Sequence, residues 1–186
     1  VNGPVLDPSL LVAFPRNKHP TVAKLSSSLM KVFKGPRIVF TDGMSKDRSI
    51  RAAFSNEPFC FSSSMGVISG GDEDLLRFIA AYLHSDLVRY LLMLTAYQVN
   101  FERERVTLAD IRRMPFLSPA RHANPKRAWA IVKKVASITR HLERRRSLLQ
   151  QEYDGRECEA LFAEYFGLGR REMARDRKST RLNSSH

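Results

Sequence analysis

The longest nearly unbroken run of apolar positions is DEDLLRFIAAYLHSDLVRYLLMLTAY, residues 72–97. Leu75, Leu76, Ile79 and Leu83, then Leu87, Val88, Leu91 and Leu92, recur at helical spacing. Phe78, Ala80, Ala81, Tyr82 and Tyr90 fill most of the remaining faces, so the pattern predicts helix buried almost all round. Its start is well marked. Gly70-Gly71 closes an extended run, Asp72 is a good N-cap, and Glu73 and Asp74 set negative charge at the positive end of the helix dipole. The polar trio His84-Ser85-Asp86 interrupts the run, and Ser85 is placed to cap a second helix from Asp86. The expectation is two helices end to end, or one bent helix, under a sheet. A membrane span is rejected, because Asp86 and Arg89 fall mid-stretch, where each costs about 2.5–3.5 kcal/mol in a bilayer.

Around this centre the pattern is alternately extended and broken. Residues 1–35 are punctuated by Pro4, Pro8, Pro15 and Pro20, with at most one short helix over 22–33. Residues 37–41, RIVFT, predict a strand turned by Asp42-Gly43. A polar loop, MSKDRSIR, leads to a strand at 52–54, a break at Asn56-Glu57-Pro58, and one or two strands within 59–69. Residues 98–106 carry a charged alternation. Thr107 then caps a short helix, with Asp110 completing a capping-box variant and Pro115 ending it. Residues 117–125 read as a linker and 128–153 as a helix with Trp129, Val132, Ala136, Leu142, Leu149 and Tyr153 on one stripe. After Gly155 comes a last helix, with Gly167 as its C-cap. The fold class expected is α+β: a small, mostly antiparallel sheet on a buried bent helix pair, with a basic C-terminal helical arm. The divisions are 1–34 as the end of a preceding region or linker, 35–117 as the core, 118–170 as the arm, and 171–186 as a disordered tail.

Composition sharpens the picture at both ends. The opening residues have neither the basic start nor the apolar core of a signal peptide, so the chain reads as the interior of a longer protein. Residues 176–186, DRKSTRLNSSH, match the in-frame translation of a common sequencing adapter and are set aside as an artefact. Without them the formal charge falls only from +12 to +10. That excess favours a polyanionic partner, nucleic acid being the commonest, while a generically basic protein is the plain alternative. Cys60 and Cys158 stand far apart with no C-x-x-C pair, which points to reduced thiols in a cytoplasm and away from a zinc site.

Catalytic chemistry finds no foothold. Gly70-Gly71 lacks the remaining glycines and the lysine of a phosphate loop, and three acids follow it. His84-Ser85-Asp86 holds triad residue types, but three consecutive residues cannot converge on one atom. His19, His122 and His141 read as surface histidines. The candidate DNA contacts are therefore cationic. Lys46, Arg48 and Arg51 sit in an inter-strand loop, where a solvated turn is the rival reading. Arg103 and Arg105 share one face of an extended segment, which an exposed ion-laced strand explains equally well. Lys133, Lys134, Arg140, Arg144 and Arg145 lie on the basic helix, where a solvated face or packing on an acidic neighbour is the alternative. The central helix has too little polar surface to enter a groove, so base contacts are expected from loops and strands.

Taken in order, KGPRIVFTDG, DRSIRAAF, EPFCFSSSMGVISG, DLLRFIAAYLHSDLVRYLLMLT and VNFERERVTLADIRRMPF resemble the C-terminal target-recognition region of adenine-specific DNA methyltransferases of the restriction-modification type. Leu83-His84-Ser85 stands where that family usually has Leu-Asn-Ser, Met114-Pro115-Phe116 matches its apolar-proline-apolar close, and ALFAEYFGL is similar to its final short helix. The resemblance covers roughly residues 35 to 170. It implies double-stranded DNA as partner, an upstream catalytic domain that binds S-adenosylmethionine, and in some relatives a restriction nuclease. The family's glycine-rich donor loop and its Asn/Asp-Pro-Pro-aromatic motif do not occur here; Asn124-Pro125 is followed by Lys126. No catalytic residue, metal site or cofactor is therefore expected on this chain itself. A protein-interaction module that docks on an acidic subunit without touching DNA is the competing expectation.

Overall fold

Ile38, Val39 and Phe40 form the centre of the sheet, as β-branched and aromatic residues favour. The computed structural model describes residues 33–44, 50–58, 65–95, 106–145 and 156–169, with the backbone alone at 42–44, 142–145 and 156–157. Strand β1 (Arg37–Met44) pairs antiparallel with both β2 (Ile50–Ser55) and β3 (Met65–Ser69), in the order β2-β1-β3. Ile38 lies opposite Phe54 and Ile68, and Phe40 opposite Ala52 and Gly66. By the two-residue period of a strand these six share one face, while Val39, Ala53 and Val67 take the other. Asp42-Gly43, expected to turn the chain, stays within β1. The register slips between Phe40 and Met44 so that Met44 pairs with Ile50. Arg37 is fully buried, and its guanidinium donates to the carbonyls of Gly35, at 2.7 Å, and Glu57.

The expected pair of helices is present as α1 (Glu73–Leu83) and α2 (Asp86–Thr95). Gly70 and Gly71 adopt φ of +88° and +100°, which glycine accepts most readily. The Asp72 carboxylate then accepts from the N–H groups of Asp74 (2.9 Å) and Leu75 (3.1 Å). At the break, Ser85 Oγ accepts from Val88 N at 3.2 Å. Leu76, Phe78 and residues 80–83 are buried, and the Arg77 guanidinium stacks 3.7 Å above the Phe54 ring. The uniform burial expected for the pair holds only for α1. In α2 only Val88 and Leu92 are buried and Leu94 is 65 % exposed, because one i,i+4 stripe faces the core and the rest of the apolar run wraps outward.

Helix α3 (Leu108–Arg113) begins with the capping box Thr107–Asp110: Asp110 N donates to Thr107 Oγ1, and Thr107 N to Asp110 Oδ2 at 2.8 Å. A 3-10 turn (Pro119–Arg121) leads to α4 (Pro125–Arg145), and α5 (Arg156–Phe166) closes the described chain. Gly167, at φ +67°, ends α5, with Leu168 N donating to Ala163 O at 2.8 Å. The described residues of 118–170, a stretch set apart in the sequence as an arm, share the core. Ala128, Ile131, Val132 and Val135 from α4 and Phe162 and Tyr165 from α5 join one apolar cluster with β1, β2 and α1. Helix α4 packs on α1, and α1 in turn on β1 and β2. Among the described residues no helix is long and apolar enough to cross a membrane.

Rings from α1 and α5 form the centre of that cluster. Phe78 meets Phe162 and Tyr165 at centroid distances of 5.4 and 4.8 Å, and Tyr82 meets Phe166 at 5.1 Å. The Tyr82 hydroxyl donates to Pro115 O at 3.0 Å and the Tyr165 hydroxyl to Leu117 O. Burial pushes both phenols up to about 12. The connector after α3 is thereby strapped to the core by two tyrosines.

Candidate nucleic-acid interface

Asn124 and Pro125 start α4 where the sequence suggested only linker. Asn124 Oδ1 accepts from Arg127 N at 3.1 Å, and proline occupies the first helical position, where its missing N–H costs nothing. From there the helix divides cleanly. Ala128, Ile131, Val132, Val135 and Ala136 are buried, whereas Lys126, Arg127, Ala130, Lys133, Lys134, Ser137 and His141 are exposed. At 3.6 residues per turn the exposed set forms one continuous outer stripe. The backbone positions of Arg144 and Arg145 continue it, and the side chains of these two residues lie outside what is described. At 21 residues the helix is about 30 Å long.

Not every cation on α4 faces outward alone. Arg127 Nε pairs with Glu164 Oε1 of α5 at 2.9 Å, and Arg140, one of the expected DNA contacts, reaches Asp74 in the first turn of α1. Arg140 therefore joins α4 to α1. Lys133 and Lys134 have no acid within ion-pair distance among the described residues. Arg51 is exposed on β2, and its odd register position puts it on the sheet face away from Phe54 and α1. Lys46, Arg48, Arg103 and Arg105 lie outside the described residues. So do residues 22–32 of the short helix expected over 22–33, the apolar-stripe positions Leu149 and Tyr153, and the tail.

Further exposed cations stand beside the expected contacts: Arg112 and Arg113 in the last turn of α3, Arg121 on the 3-10 turn, and Lys126. The signal available in the sequence was density. Residues 106–145 hold ten Lys or Arg against the acids Asp110 and Glu143 alone. Arg112 and Arg113 also suit the negative end of the α3 dipole, a structural role sufficient by itself.

Two histidines prove to be structural. His84 Nε2 lies 2.6 Å from the Ala52 carbonyl oxygen, to which its N–H donates, covering part of the outer edge of β2. His122, expected on the surface, is a bridge: Nδ1 accepts from Asn124 N at 3.0 Å while Nε2 donates to Tyr165 O at 2.9 Å. Glu159 of α5 is buried, and its Oε1 accepts from Asp86 N at 2.8 Å, capping α2 from another helix. Nor does the Gly70-Gly71 turn fit a methyl donor or a nucleotide. The Asp72 carboxylate already occupies the N–H groups of the first turn of α1, and Glu73 and Asp74 follow. Among the described residues no three His, Cys, Asp or Glu side chains come together to hold a metal ion.

Comparison of the chain with protein-family models, with curated proteins and with solved structures finds no match.

Proposed function

We propose that this chain recognises double-stranded DNA as the target-recognition part of a site-specific adenine DNA methyltransferase. Methyl transfer from S-adenosylmethionine would be carried out by a catalytic domain on another stretch of polypeptide. The observation that carries the reading is the outer stripe of α4, where Lys126, Lys133 and Lys134 face solvent along about 12 Å of the helix, on a chain of formal charge +12. Two further features support it. The helix pair broken at Leu83-His84-Ser85 leans on the sheet through a side-chain donor to a strand carbonyl, a task the carboxamide of the family's usual asparagine could also perform. The Met114-Pro115-Phe116 segment is held at the core by Tyr82.

In this reading the family's chemistry swings an adenine out of the stack for modification of its exocyclic amino group, and this part sets where on the duplex that happens. Selection of bound molecules from a randomised duplex pool tests it. Enrichment of a short motif containing adenine is expected. Enrichment of nothing, or capture of polyglutamate in preference to DNA, contradicts it and favours a protein-docking module.

A further inference from the structure

Building on the DNA reading above, we infer that the outer face of α4 is a rail for the phosphates of duplex DNA and reads no bases. Residue type makes the first argument. The exposed, described positions of the stripe are Lys126, Arg127, Ala130, Lys133, Lys134, Ser137 and His141. Asparagine and glutamine, which fork onto adenine, are absent from it, and its one described arginine is engaged by Glu164. What remains is lysine, a point charge on a flexible stem that suits phosphate oxygens better than base edges.

Placement makes the second. The recognition helix of a helix-turn-helix presents its N-terminal residues to the base edges. Here that end is clasped from two sides: His122 joins the lead-in to Tyr165 of α5, and Arg127 joins the first turn to Glu164. The inner half of the helix is sealed in the core, with Ala128, Val132, Val135 and Ala136 at 0 % exposure. The helix is thus tied down at its N-terminal end and offers a duplex its long outer face.

Spacing makes the third. Lys126 and Lys134 are eight residues apart, or about 12 Å along the axis. At an axial rise of 3.4 Å per base pair that spans about three or four base pairs of duplex. Three lysines on three phosphates release about three counterions, so the logarithm of affinity should fall with the logarithm of salt with a slope of about −2.7 from this face alone.

The test compares the unaltered chain with the triple variant Lys126→Gln, Lys133→Gln, Lys134→Gln on several unrelated duplexes across a salt series. Circular dichroism melting serves as the folding control. All three positions are exposed, and the melting temperature should not move. The inference expects the variant's salt slope to be shallower by about 2.7, equally on every duplex. If the variant keeps the original slope while the protein still binds, the rail is wrong and the DNA reading survives. A loss that differs tenfold or more between sequences shows that α4 reads bases and also overturns the inference. Failure of the unaltered chain to bind any duplex at low salt removes the DNA reading and the rail with it.

Discussion

Phe40 and Gly66 show how a single residue sets the packing of the sheet. They face each other across β1 and β3, and a Cβ added at Gly66 would lie 2.2 Å from the Phe40 ring, which is itself buried. The ring cannot swing away without disturbing the core. Gly66→Ala is therefore expected to lower unfolding free energy by about 1–3 kcal/mol in urea titrations, as overpacking does; an unchanged midpoint would mean that the ring has room. Tyr82 and Tyr165 make a second residue-scale prediction. Both hold their protons to about pH 12, whereas an unfolded tyrosine releases its proton near 10. Their contribution to stability is thus complete below pH 10 and is lost as pH rises from 10 towards 12. Titration at 295 nm should show two of the five tyrosines ionising late. Ionisation of all five near pH 10 with the fold intact would contradict the burial.

At the scale of elements, the helix ends were the most legible feature of the sequence, because a cap is a local device. Asp72, Ser85, Thr107 with Asp110, and Gly167 act where the pattern placed them. Partners remote in the chain were not legible. His84 meets Ala52 over 32 positions, His122 meets Tyr165 over 43, and Arg140 meets Asp74 over 66. Periodicity says which face of a helix is apolar, not which other face covers it. For that reason the C-terminal helices read as an arm and α2 as fully buried. One side-chain donor at the break is enough to test the docking of α1 and α2 on β2. His84→Leu should cost about 1–3 kcal/mol by leaving the Ala52 carbonyl without its donor, and His84→Asn should recover most of that. Equal losses in both variants would assign the histidine a packing role instead.

For the whole molecule, what matters is where charge is neutralised and where it is left outward. Acids at the start of α1 and on α5 engage Arg77, Arg140 and Arg127, so the charge of these cations is matched within the fold. Lys126, Lys133 and Lys134 remain outward on one helix face, and Arg51 stands apart on the sheet face away from α1. The candidate site was legible as a density of positive charge. Which cations are matched within the fold and which are left outward was not, since for Arg127 and Arg140 that division depends on acids far off in sequence.

Fluorescence anisotropy of a labelled random-sequence duplex, titrated with the intact chain at 50 and 200 mM salt, tests the central claim most directly. Three phosphate contacts alone predict a loss of affinity of about 40-fold between those conditions, and contacts from other cations would add to it. Absence of binding at 50 mM, or an affinity that does not change with salt, would contradict the account.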